Sequence, residues 1–179
     1  MITDFLFKPL ENTAEYRKIE TALQKKGKAV YLTNLGNAQK AFYTAGLAKR
    51  TSRPFLILCE SERAAAAFYD DFAELLQEPV SLFPARELSF YQDVASSREL
   101  TNRRLAALHS VLSGESRIIL ASADALLHRL MPKGAFEENT IHLSVGSRIE
   151  MDGLCSRLVK AGYTREDMVE GTGDRKSVV

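Results

Sequence analysis

Residues 33–41, Thr33-Asn34-Leu35-Gly36-Asn37-Ala38-Gln39-Lys40-Ala41, stand between an apolar segment and a helical pattern, where a phosphate-binding loop would lie. Such a loop needs glycines so that backbone N–H groups can crowd round the phosphates. It also needs a lysine for the β/γ oxygens and a Ser or Thr hydroxyl for magnesium. Gly36 alone is in place. With Gly36 as the fourth residue of the motif, Gln39 replaces the lysine and Lys40 replaces the hydroxyl residue. With Lys40 as the motif lysine, Gln39 falls on the required glycine and Ala41 on the hydroxyl. Neither register neutralises a triphosphate or holds its metal, so the loop is expected to bind no ATP. A helix N-terminus at Gly36 could still favour a weakly held anion, or be a structural turn without a ligand.

Other reactive residues form no constellation. Asp70-Asp71 resembles a magnesium-holding acidic pair in type only. Such a pair should end an apolar strand, and this one falls on the polar side of an amphipathic helical pattern. His109, His128 and His142 are scattered, with no acidic or cysteine partner at metal-ligand spacing. No G-x-S-x-G turn presents a serine. Arg98, Arg103 and Arg104 cluster, but Glu99 offsets them, and they read as a solvated helix face. The sequence therefore nominates no catalytic residue, no metal site and no cofactor.

The elements around the loop follow from apolar spacing. Tyr16, Ile19 and Leu23 recur at helical intervals, with Thr13 as N-cap and Gly27 as stop. Ala29-Val30-Tyr31-Leu32 reads as a strand, and Ala38, Ala41, Phe42, Ala45 and Ala48 as the inner face of the next helix. The plan repeats. Phe55-Leu56-Ile57-Leu58 is a buried strand; Ser61 caps a helix whose inner stripe is Ala65, Phe68, Phe72 and Leu75. A third strand at 80–83 stops at Pro84, and a long loop anchored by Phe90 and Tyr91 follows. A helix over about 98–112 turns Leu100, Leu105, Leu108 and Val111 inward; then come a strand at 117–121 and a short helix ending near Arg129. Short apolar strands alternating with helices imply a doubly wound, mostly parallel α/β sheet covered on both faces. This first domain spans 1–132. Residues 133–139 read as a polar linker, 140–144 as a strand, and Met151, Leu154, Leu158 and Ala161 as a helix stopped by Gly162. Residues 133–179 thus open a small α+β second domain that is cut short.

The 179 residues include 24 Lys plus Arg against 23 Asp plus Glu, a balance that disfavours a domain devoted to gripping nucleic acid. With Cys59 and Cys155 far apart, no C-x-x-C site exists; one long-range disulfide is open to them, and two reduced thiols suit a cytosolic protein. No apolar run approaches membrane-spanning length and no signal-peptide layout opens the chain, so the expectation is a cytoplasmic protein with no membrane partner.

The run Leu82-Phe83-Pro84-Ala85-Arg86-Glu87, then Phe90-Tyr91, Ser97-Arg98-Glu99 and Arg103-Arg104-Leu105, resembles the N-terminal region of bacterial transcription-repair coupling factors. So does the stretch from Ile118 to Leu127 with Arg129 and Pro132, followed by Val145-Gly146-Ser147 and Leu158-Val159-Lys160-Ala161-Gly162-Tyr163 with Arg165. That region is similar to the excision-repair helicase subunit UvrB. The resemblance implies a degenerate helicase-like domain whose nucleotide loop has lost its lysine, as Gln39 has here. It implies that the second domain docks UvrA, with Arg165 and neighbouring Tyr163 at a docking position. It leaves DNA translocation and RNA polymerase contact to other domains of a longer protein. The stretch 171–179 departs from the family pattern. One lobe of an ATP-dependent helicase-type enzyme is the rival reading; a P-loop lysine and a strand-terminal acidic pair would support it.

Overall fold

In a computed structural model of the chain, the described residues are 2–25, 27, 29–51, 53–86, 98–166 and 174–176. By internal contacts the chain divides into two compact units, Met1–His128 and Arg129–Val179.

The first unit opens with α1 (Ile2–Glu11), α2 (Ala14–Leu23) and α3 (Asn37–Arg50). β1 (Phe55–Cys59), α4 (Glu62–Leu76), β2 (Val80–Phe83), α5 (Arg98–Leu112), β3 (Ile118–Ser122) and α6 (Ala123–Leu126) follow. The three strands form one parallel sheet in the order β1-β3-β2, with Phe55 and Val80 both opposite Ile118. The chain crosses from β1 to β2 through α4 and returns to β3 through α5. Phe55, Ile57, Ile118, Leu120, Val80 and Leu82 pack with α3 and α4 residues in the larger core. On the opposite face Phe83 and Ala121 pack with Ala107 of α5 and Ala125 of α6. Helices on both faces of a parallel sheet make the fold an α/β doubly wound one, as the alternation implied.

Local signals placed several boundaries. The Ser61 hydroxyl accepts from the Ala64 N–H at 3.2 Å, capping α4. Along α4, Ala65 and Phe72 are buried, with Phe68 and Leu75 partly so. Other expectations need correction. Residues 29–32 form no strand: they have no ladder partner among the described residues, and Tyr31 is 89% exposed. Thr13 precedes α2, but its hydroxyl donates backwards to the Leu10 carbonyl at 2.8 Å instead of capping. In α5, Leu105 faces outward, 45% exposed, while Arg104 is buried at 6%. β1 is only half buried, and the loop anchors Phe90 and Tyr91 lie outside the described residues.

α1 has no counterpart in the sequence reading. It and α2 clasp α3 at Gly46, where the missing side chain lets Phe7, Leu10 and Tyr16 approach. Phe7 stacks on Phe42 with ring centroids 4.9 Å apart. At the far end, Arg50 pairs with Glu20 at 2.8 Å and Glu11 at 3.1 Å. Tyr16 is 1% exposed, yet its hydroxyl has no hydrogen-bond partner among the described residues. Burial, and then Glu20, push its pKa up from 10.0 to about 12. The folded state therefore holds this proton more tightly than the unfolded chain does, so stability present below pH 10 is lost as pH rises towards 12. Tyr16→Phe is expected to abolish that alkaline loss. At neutral pH it is expected to raise stability by about 1 kcal/mol, because an unpaired hydroxyl leaves the core. Thermal melts of both proteins from pH 8 to pH 11 check this; a steeper alkaline loss in the phenylalanine variant would contradict it.

The second unit contains α7 (Lys133–Asn139), α8 (Met151–Lys160), β4 (Thr164–Glu166) and β5 (Asp174–Lys176). The expected linker at 133–139 is thus a helix, α7, in which Lys133 and Glu137 form an i,i+4 pair at 3.6 Å. The expected strand at 140–144 is irregular chain. β4 and β5 pair in parallel, Arg165 opposite Arg175. No described side chain of this unit is buried; Phe136 of α7 and Leu154, Cys155 and Leu158 of α8 are among those partly covered.

Candidate nucleotide loop and docking element

The loop before α3 is built around Gly36, whose extended backbone (φ −70°, ψ 165°) makes it the N-cap. The Gln39 side-chain carbonyl reaches back and accepts the Gly36 N–H at 2.9 Å. This is the return half of a capping box, glutamine at N3 satisfying a backbone donor before the first turn. Gln39, at the position where a phosphate loop carries its lysine, thus occupies a backbone donor that an anion would otherwise meet. The Lys40 N–H bonds the Gly36 carbonyl at 2.9 Å, and its ammonium donates to the Asn37 side chain at 3.4 Å. Asn34 takes a positive φ of 61°, a conformation asparagine tolerates in tight turns. Beside Gln39 lies a hollow of about 640 Å³ lined chiefly by Leu10, Ala41, Phe42 and Leu75, with Asp71 and Glu74 at its edge. Apolar walls and two carboxylates do nothing to neutralise a triphosphate.

Asp70 and Asp71 lie within α4, as the periodicity required, Asp70 exposed and Asp71 half-buried. Among the described residues, no three His, Cys, Asp or Glu side chains could hold a metal ion. Both cysteines are free thiols; burial of Cys59, reinforced by Glu60, raises its pKa. Among the described residues no helix is long and apolar enough to cross a membrane.

One arginine of the cluster read from the sequence as a solvated helix face is buried instead. At the carboxyl ends of β2 and β3, the Arg104 guanidinium lies 4.0 Å above the Phe83 ring and donates through Nη1 to the Pro84 carbonyl. Its Nη2 has no hydrogen-bond partner among the described residues. Burial, and then the Arg86 charge, lower its pKa, while Glu62 opposes them. Glu62 itself accepts the hydroxyl of Ser122, a residue with no exposed surface that also caps α6 through the Ala125 N–H at 3.1 Å. The signal available was periodicity: Arg104 and Ala107 share a stripe with Leu100, Leu108 and Val111. Its charge argued the other way.

The chain is 30% identical over 166 residues to the transcription-repair-coupling factor of Bacillus subtilis, a match covering 92% of this chain and 14% of that protein. The chain is related to the UvrB-like N-terminal module of the transcription-repair coupling factors. It is also 25% identical over 167 residues to UvrABC system protein B of Thermosipho africanus, and 23% identical over 166 residues to that of Acinetobacter baylyi. Those matches cover 86% and 85% of this chain, and 25% and 24% of the relatives. The chain therefore spans about a seventh of the coupling factor and a quarter of the UvrB proteins. No protein-family model matches it.

Set against the coupling-factor module, the Leu158…Gly162-Tyr163 run has a structural explanation. The Tyr163 N–H reaches the Leu158 carbonyl at 3.0 Å and the Gly162 N–H the Val159 carbonyl at 3.0 Å, with Gly162 at φ +92°. This is the Schellman ending of α8, and it requires glycine. It sends the chain directly into β4, placing Arg165 at that strand's centre, three residues past the helix stop. Tyr163 is 40% exposed. The sequence-nominated residues thus fall in two places: Gly36, Gln39 and Lys40 in the first unit, Tyr163 and Arg165 in the second.

Proposed function

We propose that this chain is a non-catalytic docking module of a transcription-repair coupling protein, which recruits the excision-repair protein UvrA to stalled transcription. The supporting observation is double similarity, to a coupling factor and to UvrB proteins, over 85–92% of the chain. A phosphate-loop position spent on capping a helix agrees with a repair role exercised through binding. DNA translocation and RNA polymerase contact belong, in this reading, to other parts of a longer polypeptide. Arg165 and Tyr163 carry the docking. An arginine fork pairs bidentately with a carboxylate, giving orientation as well as attraction.

In a polypeptide extended to complete the second unit, Arg165→Ala is expected to weaken UvrA binding about tenfold to a hundredfold. Loss of one charge-assisted contact is worth about 1–3 kcal/mol. Calorimetry at low and high salt checks this, a rim contact weakening with salt and a desolvated one persisting. Unchanged affinity at low salt, with a normal melting curve, would move the docking surface elsewhere.

A further inference from the structure

The hollow beside Gln39 is a groove between helices. α3 forms its floor, where Ala38, Ala41 and Phe42 share one face and the two small alanines leave it room. The corner between α1 and α2 makes one wall through Pro9, Leu10 and Thr13, and α4 makes the other through Asp71, Glu74 and Leu75. Apolar surface continues past the groove's edge. On α1, Leu6 lies one turn before Pro9 and Leu10, with Phe5 next to it, and the two stay 45% and 72% exposed. Exposed apolar surface running into a concavity is the form of a protein contact, in which a few anchors fill the hollow. The rim is acidic: Asp71 is half-buried and Glu74 exposed, three residues apart on α4. Neither carboxylate has an ion-pair partner among the described residues, and no Lys, Arg or His is among the described residues lining the groove. The N-terminal dipole of α3 is the opposing influence, and Gln39 already fills its Gly36 donor.

We propose that this groove docks a basic amphipathic helix of a partner protein. Its apolar anchors seat on Ala38, Ala41 and Phe42, and its flanking lysines or arginines lie over Asp71 and Glu74. Charge selects this occupant. A neutral apolar segment would fill the same space but strip water from two carboxylates without pairing them, and an acidic one would be repelled. Spacing selects the helix. It presents anchors and flanking cations together at intervals of three and four residues, the intervals of both the floor and the rim. The groove belongs to the first unit, so the proposal stands apart from docking through Arg165.

The test is fluorescence anisotropy of the 179-residue chain with a labelled synthetic helix of about 18 residues, leucines on one face and lysines on its flanks. Binding with a Kd of about 100 μM or tighter is expected, weakening as salt is added. The same peptide with glutamate for lysine is expected to bind at least about tenfold more weakly. Ala38→Leu fills the floor at an exposed position, and the pair Asp71→Asn with Glu74→Gln removes the rim charge. Each is expected to weaken the lysine peptide by about tenfold or more while leaving the melting curve unchanged. No binding at about a millimolar, equal binding of the two peptides, or indifference to either folded variant would overturn the proposal. So would self-association of the chain that Ala38→Leu abolishes while the lysine peptide stays unbound; that result assigns the groove to a second copy.

Discussion

Arg104→Ala is expected to lower the unfolding free energy by about 2–4 kcal/mol, whereas Arg104→Met loses about 1 kcal/mol or less. The difference lies in which part of the side chain stabilises. Arg104 is 6% exposed, with its guanidinium over Phe83 and one nitrogen bonded to the Pro84 carbonyl, where β2 ends. Alanine removes the stem, opens a void against Phe83 and leaves that carbonyl without its donor. Methionine refills the volume and removes a cation that is costly to keep from water, as its lowered pKa records. Urea denaturation of the three proteins at neutral pH is the measurement. A methionine variant as unstable as the alanine one would mean that the charge, through Glu62, holds this end of the sheet.

Gly46→Val is expected to cost about 2–3 kcal/mol, and Gly46→Ala much less. A Cβ at this position would meet Leu10 Cδ2 at 3.0 Å, Phe7 Cδ1 at 3.2 Å and the Tyr16 hydroxyl at 3.2 Å. Those three side chains are 5%, 4% and 1% exposed, so none can move aside into water without leaving the core. Alanine gains about 1 kcal/mol of helix propensity, which offsets much of the crowding. Valine brings two further methyl groups into the clasp and overpacks it. Because the Tyr16 hydroxyl is one of the obstacles, Tyr16→Phe should reduce the cost of Gly46→Ala, a coupling that a double-mutant cycle reads directly. A valine variant as stable as the unmodified chain would show that α1 and α2 do not seat on α3 at Gly46.

What the sequence disclosed was governed by short-range rules. Ser61, Gly162 and the strand patterns at 55–58, 80–83 and 117–121 act on neighbours within a turn or along one strand, and each marked its element to within a residue. What it withheld depends on chain remote in sequence. Ala29-Val30-Tyr31-Leu32 has strand composition, but a strand exists only where another offers its hydrogen bonds, and no local pattern states whether one does. Leu56 and Leu58 read as buried for the same reason. The burial of Arg104 comes from Pro84 and Phe83, about twenty residues upstream, and its charge type pointed to the surface. The helix at Lys133–Asn139 was concealed by its polar composition and its glycine. That residues 33–41 match a phosphate loop in neither register was legible, whereas the return of Gln39 onto Gly36 is a matter of three-dimensional geometry.

Calorimetric titration of the chain with Mg-ATP, alongside a Gln39→Ala variant, tests most directly whether this is a docking module and not a nucleotide-driven one. No binding heat is expected for either protein at concentrations up to about a millimolar, where even weak complexes register. Removing the capping amide frees one N–H but restores neither the lysine, the glycines nor a metal-holding hydroxyl. Micromolar binding of Mg-ATP by the unmodified chain, abolished by substitutions within 33–40, would contradict it.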